Sequence, residues 1–324
     1  MTRLSEASGG DHLYSEKRIV GAGTDYPLKA ILTFPDDLDV LSGQVPAVVM
    51  VHGSGPGNMD EKVMKLTPFK DLAEGLAEHG VASLRYDKRT YAHGFKLLIR
   101  QKHFTLTVKE ETIEDAILAV IMLKNTPGID HNRIFILGHS MGAMLAPRID
   151  AEGADVKGLI MMAGTPYRLE DIVLRQLKQA GRGRSILKRI VRMEYRFYRR
   201  KFQGLYEMTD EEAKKKKFAG SMTLYYFKEM GRKTAADYLL ESTKPAFILQ
   251  GAKDFQVLAK RDYRMFKKLL AGRTNTRFKL YPDLNHIFVK GIYDDILKAA
   301  KEYKVERHIP EEVIGDIAAF IRDA

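Results

Sequence analysis

The sequence predicts an α/β fold, a mostly parallel sheet covered by helices on both faces, with a helical segment inserted late in the chain. Three observations predict it. Apolar runs of strand length alternate with longer segments of helical period. Apolar and charged shares of 45% and 29% are those of a soluble globular chain with a sizeable core. The interval between the strand ending at Ala163 and the one starting at Ala246 is too long for an ordinary connection. For 324 residues, one domain with an insertion is the economical organisation.

In chain order, 15–20 and 28–34 read as an antiparallel pair joined through the turn 21–27. The strands 45–52, 81–86, 133–137, 156–163, 246–250 and 276–281 follow. Between them, helices fit 68–79, 107–125, 141–151, 257–271 and 311–321. In the second of these, Thr107 and Glu110 are spaced as a capping box, and Ile113, Ile117, Val120 and Ile121 share one face. The inserted segment contains 185–202, where Ile186, Ile190 and Phe197, and also Leu187, Val191 and Tyr198, recur at helical spacing. The chain therefore divides into a core, 1–165 and 245–324, and a basic helical cap or lid, 166–244.

Charge is concentrated in that cap. The net charge is +11, yet 166–244 holds 20 Lys/Arg against 10 Asp/Glu, leaving 33 against 32 elsewhere. Such an excess can attract phosphate or anionic lipid, but solvated helix surface is its commoner use. Neither nucleic-acid binding nor membrane-surface contact through the cap is expected, and the oligomeric state stays open. The absence of cysteine excludes disulfides, thiolate metal sites and a cysteine nucleophile. Residues 1–14 are polar with no apolar leader core, and no stretch has the ~18 apolar residues of a membrane span, so the expectation is a cytoplasmic chain.

Gly138-His139-Ser140-Met141-Gly142 carries the chemistry. It follows the strand 133–137 and precedes a helix, the context that a nucleophile elbow requires. The flanking glycines let strand and helix approach where a Cβ would clash. A serine hydroxyl is a poor nucleophile at neutral pH and needs a base within hydrogen-bond reach, itself oriented by a third group. His286, after the last strand, fits the base; His139, inside the elbow, reads as packing. Asp254, just past the strand 246–250, fits the acid, with Asp283 as its rival and a turn or helix N-cap as its bland alternative. The oxyanion needs backbone donors: Met141 N–H is one, and Ser54 N–H, in the glycine-rich turn His52 to Gly57, is the other. That turn fits neither phosphate-binding glycine pattern.

These motifs, together with Arg85-Tyr86-Asp87-Lys88-Arg89, Asp254-Phe255-Gln256-Val257 and the stretch from Tyr281 through Phe288, resemble serine esterases of the α/β-hydrolase superfamily, the dienelactone-hydrolase-like and EstD-type carboxylesterases. The resemblance runs nearly the whole chain. It implies the α/β-hydrolase fold with an eight-stranded, mostly parallel sheet and a helical cap over the pocket. It also implies a triad of Ser140, Asp254 and His286, no metal or cofactor, and cleavage of small-molecule carboxylic esters, usually with short acyl chains. The Arg85 to Arg89 cluster is explained by charge pairing and is given no catalytic role. The same triad can cleave a thioester, lactone or peptide bond, and a non-enzymatic module binding an anionic surface is a distant third reading. Aromatic residues of 185–202 are expected to line or cover the acyl pocket rather than to meet lipid.

Overall fold

The central strands carry apolar side chains on both faces, and this fixes the layering. In 45–51, Val48 and Met50 face one way while Val49 and Val51 face the other, and all four are buried. Phe135 and Leu137 alternate with Ile134 and Ile136 in the same manner. Such strands are stable only with helices on both sides, which is why they read as continuous apolar runs. The computed structural model describes residues 14–35, 44–100, 105–219, 222–293, 298 and 301–324.

Strands β1 (Tyr14–Val20), β2 (Leu28–Phe34), β3 (Val45–Val51), β4 (Ala82–Tyr86), β5 (Ile129–His139) and β6 (Gly158–Met162) are followed by a small hairpin, β7 (Lys217–Ala219) with β8 (Met222–Thr223), and by β9 (Ala246–Gly251) and β10 (Thr276–Tyr281). Eight of them form one sheet in the order β1-β2-β4-β3-β5-β6-β9-β10. The β1/β2 and β2/β4 pairs are antiparallel, and the remaining pairs are parallel. On one face α1 (Pro68–Glu78) packs against the last helix, Glu311–Asp323, at Gly75, where a Cβ would lie 2.6 Å from Ile314 Cδ1. The other face is covered by helices Glu114–Lys124 and Met141–Ile149, through Ala116, Ala119, Val120, Ala143 and Ala146.

The expected boundaries shift where backbone geometry overrides side-chain pattern. β5 runs past Leu137 because Gly138 and His139 continue the ladder to Met161 and Met162. β6 stops before Ala163, whose φ of +52° turns the chain out of the sheet. The helix expected at 107–125 opens with a π turn, Lys109–Ile113, and the one expected at 257–271 opens with another, Ala259–Tyr263; a 3.6-residue apolar period cannot reveal either. The Glu110 carboxylate accepts the Thr107 N–H at 2.8 Å, as the capping-box spacing predicts.

Between β6 and β9 the chain forms helices Leu169–Ala180, Ile186–Phe202, Asp210–Lys215, Leu224–Met230 and Ala235–Glu241 besides the hairpin. The last two rest on the sheet-covering helix Met141–Ile149: Ala236 and Leu239 are buried, and Arg148 pairs with Glu229. Phe202 stacks on Phe218 at 5.3 Å and meets Phe227 edge-on at 4.8 Å, closing an aromatic layer beneath the segment. Among the described residues no helix is long and apolar enough to cross a membrane.

Candidate active site

Ser140 sits between β5 and helix Met141–Ile149 at φ +54°, ψ −113°, a conformation a non-glycine residue adopts only under constraint. The constraint comes from both sides. Its N–H donates to Met162 O at 2.8 Å, and Gly142 passes so near β3 that a Cβ there would lie 2.1 Å from Val51 O. The turn thereby holds the hydroxyl above the end of the sheet.

Strand ends bring the partners in. The β9 loop delivers Asp254, and the turn after β10 delivers His286. His286 Nδ1 lies 2.8 Å from Asp254 Oδ2, and Nε2 lies 3.1 Å from Ser140 Oγ. A carboxylate only accepts, so Nδ1 carries the hydrogen and Nε2 presents its lone pair to the serine hydroxyl. Asp254 is itself fixed: Oδ1 accepts the Gln256 and Val257 N–H groups at 2.7 and 2.9 Å, and Oδ2 accepts from Gln250 Nε2 at 2.9 Å. The turn-capping role weighed for this aspartate is therefore real, carried by the oxygen that does not face the histidine. Asp283, the rival, is exposed, and its backbone carbonyl accepts the Gly291 N–H.

Ser54 and Met141 flank the hydroxyl. Met141 is the first helical residue, so its N–H has no acceptor within its helix. Ser54 follows Gly53, whose N–H donates to Glu61 Oε1 at 2.7 Å and whose C=O accepts from Lys88 Nζ at 2.9 Å. A trans peptide points its C=O and the next N–H in opposite directions, so the lysine that holds the Gly53 carbonyl also fixes the direction of the Ser54 N–H. Two cavities meet at Ser140. One of about 170 Å³ runs past Gly53, Lys62, His139 and Ile287. The other, about 340 Å³, is mainly apolar, lined by Met144, Leu169, Ile172, Phe218, Met222 and Phe227. Helix Ile186–Phe202, whose aromatic residues were expected to line or cover the pocket, contributes no residue to either cavity, but Tyr198 and Phe202 pack on Phe218, and Phe202 also on Phe227, both of which line the larger one.

A sequence profile described as the alpha/beta hydrolase family matches residues 48–290. The chain belongs to the alpha/beta hydrolase family. Within it, the chain is 33% identical over 283 residues to Esterase EstD of Thermotoga maritima; the match covers 86% of this chain and 63% of that protein, so the chain spans less than two thirds of its relative's length. Among solved structures, an esterase of Pyrococcus furiosus aligns over 100% of this chain and 97% of its own at 16% identity and TM-score 0.56. Est1E of Butyrivibrio proteoclasticus, solved with ferulic acid, aligns over 93% of this chain and 99% of its own at 18% identity and TM-score 0.56. At these identities the structural likeness is one of fold.

Several residues of this site escape sequence reasoning. His139, read as packing, donates from Nε2 to His286 O at 2.9 Å, forms an ion pair through Nδ1 with Glu61 Oε2 at 2.9 Å, and lies 4.9 Å ring to ring from His286. Burial alone would pull its imidazolium down, but the Glu61 carboxylate overrides this and leaves it raised; burial pushes Glu61 up, and His139 reverses that to leave it lowered. The two shifts favour the ionised form of the pair, which braces the carbonyl of the histidine. Asn285 braces the same turn, accepting the Ile287 N–H at 3.0 Å and donating to Glu302 at 2.8 Å. In the Arg85 to Arg89 cluster, Arg85 pairs with Asp60 and Arg89 with Asp115, as charge pairing predicts. Lys88 does more: it reaches the Gly53 carbonyl and also pairs with buried Glu111 at 3.1 Å, whose other oxygen accepts the Tyr226 hydroxyl at 2.5 Å. No motif signals the contacts of His139 and Lys88, because they join residues 23 to 147 positions apart.

Proposed function

We propose that this hydrolase is a serine carboxylesterase acting through an acyl-enzyme on Ser140. The observation that carries the reading is the hydrogen-bonded chain from Ser140 Oγ through His286 to Asp254, with the serine held at positive φ. His286 Nε2 accepts the hydroxyl proton as Oγ attacks the ester carbonyl, and the charge forming on the carbonyl oxygen meets the Ser54 and Met141 N–H groups. The resulting imidazolium is stabilised by Asp254 and returns its proton to the departing alcohol. Water, deprotonated by the same nitrogen, then releases the acid and restores the serine.

The acyl chain enters the apolar cavity of about 340 Å³, and the alcohol leaves through the smaller one. Segment 166–244 acts as the cap, since Leu169, Ile172, Phe218, Met222 and Phe227 close the acyl side. A cavity of about 340 Å³ suits short acyl chains of small-molecule esters, and the likeness to Esterase EstD supports ester over other acyl bonds. The test is hydrolysis of p-nitrophenyl esters from acetate to palmitate by the wild type and by Ser140→Ala. Turnover of the shorter esters that the substitution abolishes is the expected result; equal turnover by both proteins sinks the reading.

A further inference from the structure

Helix Ile186–Phe202 is joined to the body along one side only. Tyr198 and Phe202 face inward, against Phe218. The opposite side is apolar and open to solvent: Ile186, Ile190, Met193 and Phe197 are 77%, 50%, 66% and 54% exposed. Their spacing of four, three and four residues places them in a single stripe along about 17 Å of helix. On soluble surfaces, apolar residues usually stand singly; a continuous stripe marks a contact.

Its flank tells what the contact is. Arg189, Arg196 and Arg200 border one edge of the stripe, all exposed, and among the described residues none of them pairs with a carboxylate. A ladder of free guanidinium groups beside an apolar ridge complements a layer with anionic phosphates outside and hydrocarbon within. A nucleic acid offers nothing apolar to the ridge. An antiparallel two-fold pairing of two copies would set arginine flank against arginine flank. We propose that this helix docks the protein on an anionic lipid surface, with the stripe seated among the headgroups and the arginines on lipid phosphates.

The topology orients the docked protein. The helix belongs to the connection leaving the C-terminal end of β6, and Ser140 follows the C-terminal end of the neighbouring parallel strand β5. Helix Gly94–Arg100, which follows the C-terminal end of parallel β4, exposes Phe95, Leu98 and Ile99 at the same edge of the sheet. Both helices therefore belong to connections that leave the end of the sheet at which Ser140 sits. The inference holds whatever bond Ser140 cleaves.

Sedimentation of the full chain with phosphatidylcholine vesicles, and with phosphatidylcholine vesicles containing phosphatidylglycerol, tests it. Two variants accompany the wild type: Ile190→Ser with Met193→Ser and Phe197→Ser, and Arg189→Gln with Arg196→Gln and Arg200→Gln. All six positions are exposed and outside the site, and unchanged circular dichroism together with unchanged turnover of a water-soluble ester shows that the variants are folded. The wild type binds the anionic vesicles and not the neutral ones. The arginine variant loses about fivefold in partitioning per residue, about 100-fold in all, and the serine variant falls to background at physiological salt. Absent or lipid-independent binding overturns the proposal. So does a dimer that the serine variant dissolves, which assigns the stripe to a second copy, and so does duplex nucleic acid binding that the serine variant retains.

Discussion

Replacing Lys88 by Met tests the geometry most sharply, because it touches no reacting atom. The Lys88 side chain is 2% exposed, and its ammonium has two partners, the Gly53 carbonyl at 2.9 Å and Glu111 at 3.1 Å. Methionine matches the apolar stem, so packing is nearly kept. Glu111 keeps the Tyr226 hydroxyl and loses its countercharge; breaking a buried pair this way costs about 3–5 kcal/mol, toward the lower end here because the tyrosine remains. The catalytic effect comes through the peptide plane: with the Gly53 carbonyl released, the Ser54 N–H is free to turn from the oxyanion. Complete loss of one such donor costs about 10²–10³ in kcat, so the expected fall is about 10- to 100-fold. KM stays within about twofold, since the donor acts on the transition state. The assay is steady-state hydrolysis of a short p-nitrophenyl ester, paired with the affinity for a phosphonate or boronate that mimics the tetrahedral intermediate. That affinity falls with kcat if the lysine orients the oxyanion peptide, while a merely structural role lowers stability alone. A folded variant with wild-type kcat and wild-type analogue affinity would refute the reasoning.

Asp254→Asn keeps the shape but presents a donor toward His286 or toward the Gln256 and Val257 N–H groups, which forces the wrong tautomer; kcat should drop about 10⁴-fold, while Asp283→Asn changes nothing, as ester kinetics of the two variants will show. Glu61→Gln should lose about 3 kcal/mol of stability through its ion pair with His139. Because Glu61 is lowered from 4.5, its contribution is present above that value and lost as pH falls through the folded-state value; because His139 is raised from 6.5, its contribution is present below 6.5 and lost as pH rises through the folded-state value. The gap between wild type and variant is therefore widest between 4.5 and 6.5, and urea midpoints at about pH 5.5 and about pH 8.5 will disagree if the pair is ionised as described. Ile172→Trp fills part of the acyl cavity and should shift the preferred p-nitrophenyl ester to a shorter chain with acetate turnover preserved; an unchanged chain-length profile places the acyl group elsewhere.

The sequence by itself determined the layered α/β architecture and the elements that carry Ser140, Asp254 and His286. It could do so because burial on both faces writes each central strand as an unbroken apolar run, and because the elbow is a contiguous string whose glycines answer a local steric demand at Gly138 and Gly142. Only the tertiary structure decided what surrounds these residues. Lys88 reaches Gly53 from 35 positions away, Tyr226 reaches Glu111 from 115, and His139 reaches the carbonyl of His286 from 147; in the chain each is an ordinary polar residue. The basic helix shows the same division. Its two apolar stripes were legible in the spacing of 186–202, but periodicity does not say which stripe meets the body. Packing against Phe218 settled that, holding Tyr198 and Phe202 inward and leaving Leu187 exposed together with Ile186, Ile190, Met193 and Phe197.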